Sequence, residues 1–296
     1  MHAYLIMAHS NENQLAQLIE TLDYPENDIY IHLDVKMGDV NILLLNQAAR
    51  YSKLKFVERK NVVWGHYSQI DCEFRLFRAA LQGGDYEYVH LLSGMDLPLC
   101  SQKQIHDYFH RFKGKEFVHI ESAELSSSDQ EKYMYRFFLQ KYIGNKQDSL
   151  LYYLQRISIH VQRILRIRKK SSLNWKMYKG ANWVSITGTF MAFLVSNEKW
   201  VKKEFRFSKC CDELFLQTVL MNSPYAQNLS CTVFQDDYRS CQRYIDWNRG
   251  NPYVFRENDF EELISSGYLF ARKFDSKVDS EIINKIVAYV KEYEYE

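Results

Sequence analysis

Hydrophobic positions along the first 120 residues switch repeatedly between helical and strand spacing. Tyr4–Ala8 is a short apolar run of the kind that forms a buried strand, and Leu15, Leu18, Ile19 and Leu22 then recur at helical spacing. Ile29–Asp34 alternates and is rich in β-branched residues, which predicts a second strand. Strand, helix and strand in such close succession are the βαβ pattern of a parallel sheet. Leu54–Val57 predicts a third strand. Ile70, Phe74, Phe77 and Leu81 predict a helix, Tyr88–Leu92 a strand, Ile105, Phe109 and Phe112 a helix, and Phe117–Ile120 a further strand. The expected class is α/β.

In such sheets ligands bind beyond the carboxyl ends of the strands. Three loops fall there: Ala8-His9-Ser10, His32-Leu33-Asp34 and Ser93-Gly94-Met95-Asp96. Taken singly, His9 or Asp34 reads as capping or turn chemistry. Three polar loops at equivalent strand ends point instead to a ligand site. The chain has no Gly-x-Gly-x-x-Gly and no Gly-x-x-x-x-Gly-Lys-Ser/Thr, which argues against dinucleotide and P-loop sites.

The middle of the chain changes character. From Ser149 to Asn197 there is no Asp or Glu, against eight Lys or Arg. Leu154, Ile157, Val161, Ile164 and Leu165 share one helical face, with Arg156, Arg163, Arg166, Arg168, Lys169 and Lys170 around it. Two readings stand: a basic amphipathic helix lying on an anionic membrane surface, or a core-packed helix with a solvated basic face. Further on, Asp212–Met221 reads as a helix with Leu216 and Leu220 on one side. Asn258 reads as an N-cap before Phe260, Leu263 and Ile264, with Gly267 as the stop. Asp279 or Ser280 opens a last helix carrying Ile283, Ile286, Val287 and Val290.

Composition narrows the classes. With 46% hydrophobic and 25% charged residues, the 296-residue chain is globular rather than disordered. Lys and Arg (38) nearly cancel Asp and Glu (37), which argues against a nucleic-acid partner. The 22 Tyr, 18 Phe and 5 Trp suit a large core and also stacking on sugar or base rings. The N-terminus lacks a basic, apolar signal segment, and no apolar run reaches the roughly 18 residues of a membrane span, so a cytoplasmic protein is expected. Six scattered cysteines without a Cys-x-x-Cys pair read as reduced structural thiols.

Eight segments in order carry a resemblance. They are AYLIMAHS (Ala3–Ser10), IHLDVK (Ile31–Lys36), VVWGHYS (Val62–Ser68), YVHLLSGMDLPL (Tyr88–Leu99), KGANWVSIT (Lys179–Thr187), DELFLQTVLMNSPY (Asp212–Tyr225), RYIDW (Arg243–Trp247) and LFARKFD (Leu269–Asp275). Together they resemble the core-2/I-branching β-1,6-N-acetylglucosaminyltransferases and the related peptide O-xylosyltransferases. The resemblance implies a GT-A type fold, a mixed central sheet with helices on both faces, in one domain over 1–296. Residues 1–125 would form its nucleotide-binding half and 126–296 its acceptor and catalytic half, with a basic insert at about 140–178. It also implies inverting transfer of a sugar, GlcNAc or xylose, from a UDP-sugar to an acceptor hydroxyl.

Residue by residue, the resemblance implies that Asp34 holds the uridine, with Ala8, His9 and the Trp64 region beside it. Glu213 would be the catalytic base. Arg272 and Lys273 would face the diphosphate, and Asp96 belongs to the same donor side. Glu121 and Trp247 fall on the acceptor side, and Trp183 is a further aromatic candidate there. A Glu next to Leu214 and Phe215 suits a base whose pKa is raised toward neutrality. No Asp-x-Asp metal motif occurs, and cations at the diphosphate can take a metal's electrostatic role, so no metal or other cofactor is expected. The animal branching enzymes are secretory, anchored and disulfide-bonded. A cytoplasmic enzyme extending a lipid-linked glycan for surface polysaccharide fits this chain better, with peripheral membrane contact through the basic segment. The competing reading is a non-catalytic carbohydrate- or nucleotide-binding protein on the same fold.

Overall fold

His2–Ala8 forms strand β1, and both its faces are apolar because it is the middle strand of a sheet covered on both sides. Tyr4, Ile6 and Ala8 join the core on one face, and Ala3 and Leu5 the core on the other. The computed structural model describes residues 1–169, 173–234 and 237–292. β1 pairs in parallel with β2 (Asn27–Leu33), which pairs with β3 (Lys53–Phe56). On its other side β1 pairs in parallel with β4 (Tyr88–Ser93). A fifth neighbour, β6 (Ser185–Thr187), pairs antiparallel with β4 and makes the sheet mixed, in the order β3-β2-β1-β4-β6. Helices cover both faces, the arrangement that the GT-A type fold implies.

The helix Glu12–Leu22 covers one face, capped by the Asn11 side chain, which accepts from Gln14 N–H. Its buried stripe is Leu15, Leu18, Ile19 and Leu22, the residues that the spacing selects. The helices Gln102–Arg111 and Glu281–Glu292 complete that face, and the Asp279 carboxylate opens the latter by accepting from Glu281 and Ile282 N–H. The helix Ser68–Gly83 covers the other face with Ile70, Phe74 and Phe77, packed against Gly188–Ser196 and Phe215–Met221.

A smaller sheet extends the carboxyl end of β4. Its order is β5-β8-β7: β5 (Asp96–Pro98) pairs antiparallel with β8 (Phe270–Arg272), and β7 (Arg243–Ile245) pairs in parallel with β8. Both sheets therefore draw strands from before and after residue 125. The opposite end of the large sheet holds a buried histidine group. His2 stacks on His106 at 3.8 Å between ring centroids, and His2 Nδ1 lies 3.1 Å from His90 Nε2. All six cysteines are free thiols.

Four expectations need correction. Asn258 is not an N-cap: it lies within the 3-10 turn Glu257–Asp259, and Asp259 is the residue that precedes the helix Phe260–Ser265. Phe117–Ile120 is not a strand: Phe117 bridges Ser185 and Glu116 bridges Leu229, after which the chain turns away so that Glu121 N–H reaches the Lys179 carbonyl. Asp212–Met221 is not one helix but a 3-10 turn, Cys211–Glu213, followed by Phe215–Met221. The Glu213 carbonyl accepts from Gly180 N–H, and the first helical bond runs from Thr218 N–H to Leu214. The basic helix forms as Leu150–Ile164, but its apolar face does not pack on the core. Its buried side is polar: Gln155 Oε1 accepts from Leu139 N–H and Gln162 Oε1 from Arg136 N–H. Lys170, assigned to the basic face, lies outside the described residues.

Candidate active site

The carboxyl ends of β1, β2 and β4 lie side by side, with Ala8 opposite Leu33 and Met7 opposite Ser93. Asp34 N–H donates to the Ala8 carbonyl, which joins the first two loops. The Asp34 carboxylate is buried and does local work: Oδ1 accepts from Lys36 N–H at 2.9 Å and Oδ2 from Val62 N–H at 3.1 Å. It thereby ties the end of β2 to the segment leading to Trp64. Lys36 Nζ lies 3.3 Å from the same carboxylate.

His9 stands among charges at this end. Desolvation by the surrounding protein lowers its pKa first, Lys273, Lys36 and Arg272 lower it further, and Asp34 opposes them. Ala8 and Gly94 pack closely: a Cβ on Gly94 would meet the Ala8 backbone at 3.3 Å. Lys36, Arg272 and Lys273 thus set positive charge at these strand ends, which suits an anionic ligand.

β5 and β8 add the next layer. Asp96 and Arg272 are register partners, and an Arg272 nitrogen lies 3.3 Å from the Asp96 carboxylate. Burial raises the Asp96 pKa, partly offset by Arg272 and by the Ser93 N–H that its Oδ2 accepts at 2.9 Å. The guanidinium of Arg272 also sits over Trp183, 4.5 Å from the ring centroid. Trp183, expected on the acceptor side, thus lies against Arg272, the cation expected on the donor side. Lys273 has no ion-pair partner among the described residues, so its charge is not neutralised by a carboxylate.

Glu213 occupies a second cluster. Lys179 Nζ lies 2.8 Å from Glu121 and 3.4 Å from Asp129, whose other oxygen is 2.7 Å from Lys132. Burial raises the Glu213 pKa, Lys179 and Lys132 oppose it, and Asp129 and Glu121 add to it. Asp212 beside it is pushed up to about 7 by burial and by the Glu213 charge. Burial disfavours charge on Lys179, but its hydrogen bond to Glu121 and the nearby acids outweigh that and raise its pKa. The cluster thus holds a carboxylate whose pKa burial raises, beside a firmly charged lysine, an arrangement able to take a proton from a hydroxyl.

Gln69 links the two regions. Its Oε1 accepts from Gly65 N–H and its Nε2 donates to Asp212 at 2.7 Å. The loop after Trp64 is thereby held to the turn carrying Glu213. Trp64 is half exposed, with Lys209 Nζ 5.6 Å from its ring centroid. Trp247 lies two residues beyond Ile245, the register partner of Arg272. It is half exposed and has no hydrogen-bond, ion-pair or ring partner among the described residues.

Glu121 and Glu213 are therefore brought together around Lys179, and Ala8, His9, Asp34, Asp96, Arg272 and Lys273 gather at the strand ends. Trp64 and Trp247 lie at the margins. Lys179, Asp129, Lys132 and Gln69 were not singled out from sequence. Lys179 opens the Lys179–Thr187 segment, a weak signal that could have found it, whereas nothing in the local pattern marks Gln69.

A family model described as Core-2/I-Branching enzyme matches residues 2–263. The chain belongs to that family. This branching-family chain is 24% identical to Xylosyltransferase sqv-6 of Caenorhabditis briggsae, over 92% of this chain and 34% of that protein. It is 23% identical to Xylosyltransferase 2 of Rattus norvegicus, over 95% of this chain and 32% of that one. It thus spans about a third of the length of the curated relatives it matches. Among solved structures, mouse Xyloside xylosyltransferase 1 in its apo form aligns with 92% of this chain and 97% of that chain at 12% identity. The TM-score of that alignment is 0.34. Arg272 and Lys273 lie beyond the residues matched by the family model.

Proposed function

We propose that this branching-family chain is an inverting glycosyltransferase that moves a sugar, GlcNAc or xylose, from a UDP-sugar to an acceptor hydroxyl. Glu213 removes the acceptor proton as the new glycosidic bond forms, and the bond to UDP breaks on the opposite face of the sugar. Arg272 and Lys273 stabilise the charge that develops on the leaving diphosphate, so that no metal is required. Asp34 and the His9 loop hold the nucleotide, and Glu121 and Lys179 orient the acceptor. The acceptor is a glycan, lipid-linked in surface polysaccharide synthesis. No helix among the described residues is long and apolar enough to cross a membrane.

One observation carries this reading: Glu213 is a carboxylate raised by burial and set beside Lys179, in a family of branching enzymes. A structural acid in the first turn of a helix needs neither burial nor such neighbours. Saturation-transfer NMR with a panel of UDP-sugars in EDTA, on wild type and Glu213→Gln, tests it. The expected result is binding of one UDP-sugar by both proteins without metal, with slow turnover only by wild type. No binding by either would overturn the Asp34 and Arg272–Lys273 assignments together. Equal turnover by both would remove Glu213 as the base.

A further inference from the structure

The helix Leu150–Ile164 is mounted inside out. Gln155 and Gln162 are buried and hold backbone groups at Leu139 and Arg136, with Ile159 between them. The opposite side is a continuous apolar stripe open to solvent: Leu150 (74% exposed), Leu154 (44%), Ile157 (59%), Val161 (44%) and Ile164 (67%), one residue every three or four. Tyr153 flanks it, and Leu165 and Ile167 extend it past the helix end. A helix in a water-soluble fold turns its apolar stripe inward, because exposure forfeits the burial free energy that drives folding. This helix is held by its polar side and leaves the apolar side unpartnered.

Charge identifies what covers it. Between Lys141 and Lys169 the only acid is Asp148, while Lys141, Lys146, Arg156, Arg163, Arg166 and Arg168 are all exposed. Arg163 is paired with Glu131, whereas Arg156, Arg166 and Arg168 have no ion-pair partner among the described residues. An exposed apolar stripe rimmed by uncompensated cations fits the boundary between anionic headgroups and acyl chains.

We propose that the helix Leu150–Ile164 lies in the interface plane of an anionic lipid bilayer, with Leu150, Leu154, Ile157, Val161 and Ile164 in the acyl boundary and the arginines at the headgroups. The inference does not depend on the transferase reading, since it rests on the exposure and charge of this helix alone. On its buried side the helix borders a cavity of about 200 Å³ lined by Tyr152, Gln155, Ile159 and Lys132, and Lys132 also acts on Glu213.

The test is co-sedimentation of the full chain with phosphatidylcholine vesicles, with and without about a third phosphatidylglycerol. Binding is expected only to the phosphatidylglycerol vesicles, weakening about tenfold or more at high salt. Ile157→Asp combined with Ile164→Asp should abolish it, and Arg156→Glu with Arg166→Glu should weaken it about tenfold or more. These exposed positions should leave the melting temperature and UDP binding unchanged, which separates lost docking from lost folding. Absence of binding to phosphatidylglycerol vesicles, or equal binding by the variants, would overturn the proposal. A concentration-dependent dimer in sedimentation velocity, abolished by Ile157→Asp, would overturn it in favour of a second copy of the chain.

Discussion

Arg272 is held over the ring of Trp183, its guanidinium carbon 4.5 Å from the ring centroid. With Asp96 on another side, the cation is fixed by an aromatic face and a buried carboxylate at once. Arg272→Ala should lower kcat about 10²–10³-fold, the usual cost of losing a preorganised charge at a developing anion. Arg272→Lys should rescue little, because an ammonium lacks the planar face that stacks. Trp183→Leu should lower kcat about tenfold and leave the acceptor KM unchanged, as expected of a residue that acts through Arg272. Initial rates with both substrates varied check this, and a change confined to the acceptor KM would return Trp183 to the acceptor side.

As the proposed base, Glu213 should impose an acid limb on the pH dependence of kcat/KM. Glu213 must be ionised to accept a proton, and its pKa lies above that of an ordinary glutamate, with Asp212 titrating at about 7 alongside it. Activity should therefore fall as pH drops through the range between roughly 4.5 and 7. Lys179 lowers the Glu213 pKa, so Lys179→Met should move that limb to higher pH. A limb that stays in place would show that Lys179 does not act on the base.

Gln69→Leu should separate the Trp64 loop from the turn carrying Glu213. The variant leaves Gly65 N–H and Asp212 each short of a partner, a loss of about 1–3 kcal/mol for each buried polar group. We expect a lower denaturation midpoint and a several-fold drop in kcat. Gln69→Glu should keep the bond from Gly65 but place a second carboxylate against Asp212, and so be the worse of the two at high pH. Urea titrations at two pH values, paired with rates, decide this.

The buried histidines predict acid sensitivity. Burial is the main cause that brings His2 to about 2 and His106 to about 4, so both are neutral in the fold. Unfolded histidine takes up a proton near 6.5. Below that pH the unfolded chain binds more protons than the native one, so stability falls as pH falls, by at most about 1.4 kcal/mol per pH unit for each group. The loss should run down to about 4 for His106. Chemical denaturation between pH 5 and 8 measures it, and His106→Gln should flatten the slope.

How much was legible depended on how local the cause was. β1, β2 and β4 are buried on both faces, so their apolar runs declared them. The helix Ser68–Gly83 declared itself by spacing. Phe117–Ile120 looked equally strand-like, yet its fate was decided by Ser185, Leu229 and Lys179, far along the chain. The break after Glu213 arises because Gly180 takes its carbonyl. A Cβ on Gly180 would come within 1.7 Å of the His119 carbonyl, so only glycine lets that segment approach. In the basic helix the spacing gave a stripe but not its direction, which two glutamines set. At the site, resemblance pointed to Glu213, Asp34 and Arg272, whereas Gln69 is defined by partners on two other loops.

The pairing of β5 with β8 has a consequence for how the protein comes to work. β8 is the middle strand of its sheet and is contributed late in the chain, yet it brings Arg272 to Asp96, which follows β4 almost directly. A growing polypeptide can lay down β1, β2 and β4 and shape the loops at their carboxyl ends long before Arg272 reaches Asp96. On the proposed reading, competence toward the donor is then the last property acquired, because it waits for the far end of the chain to come home.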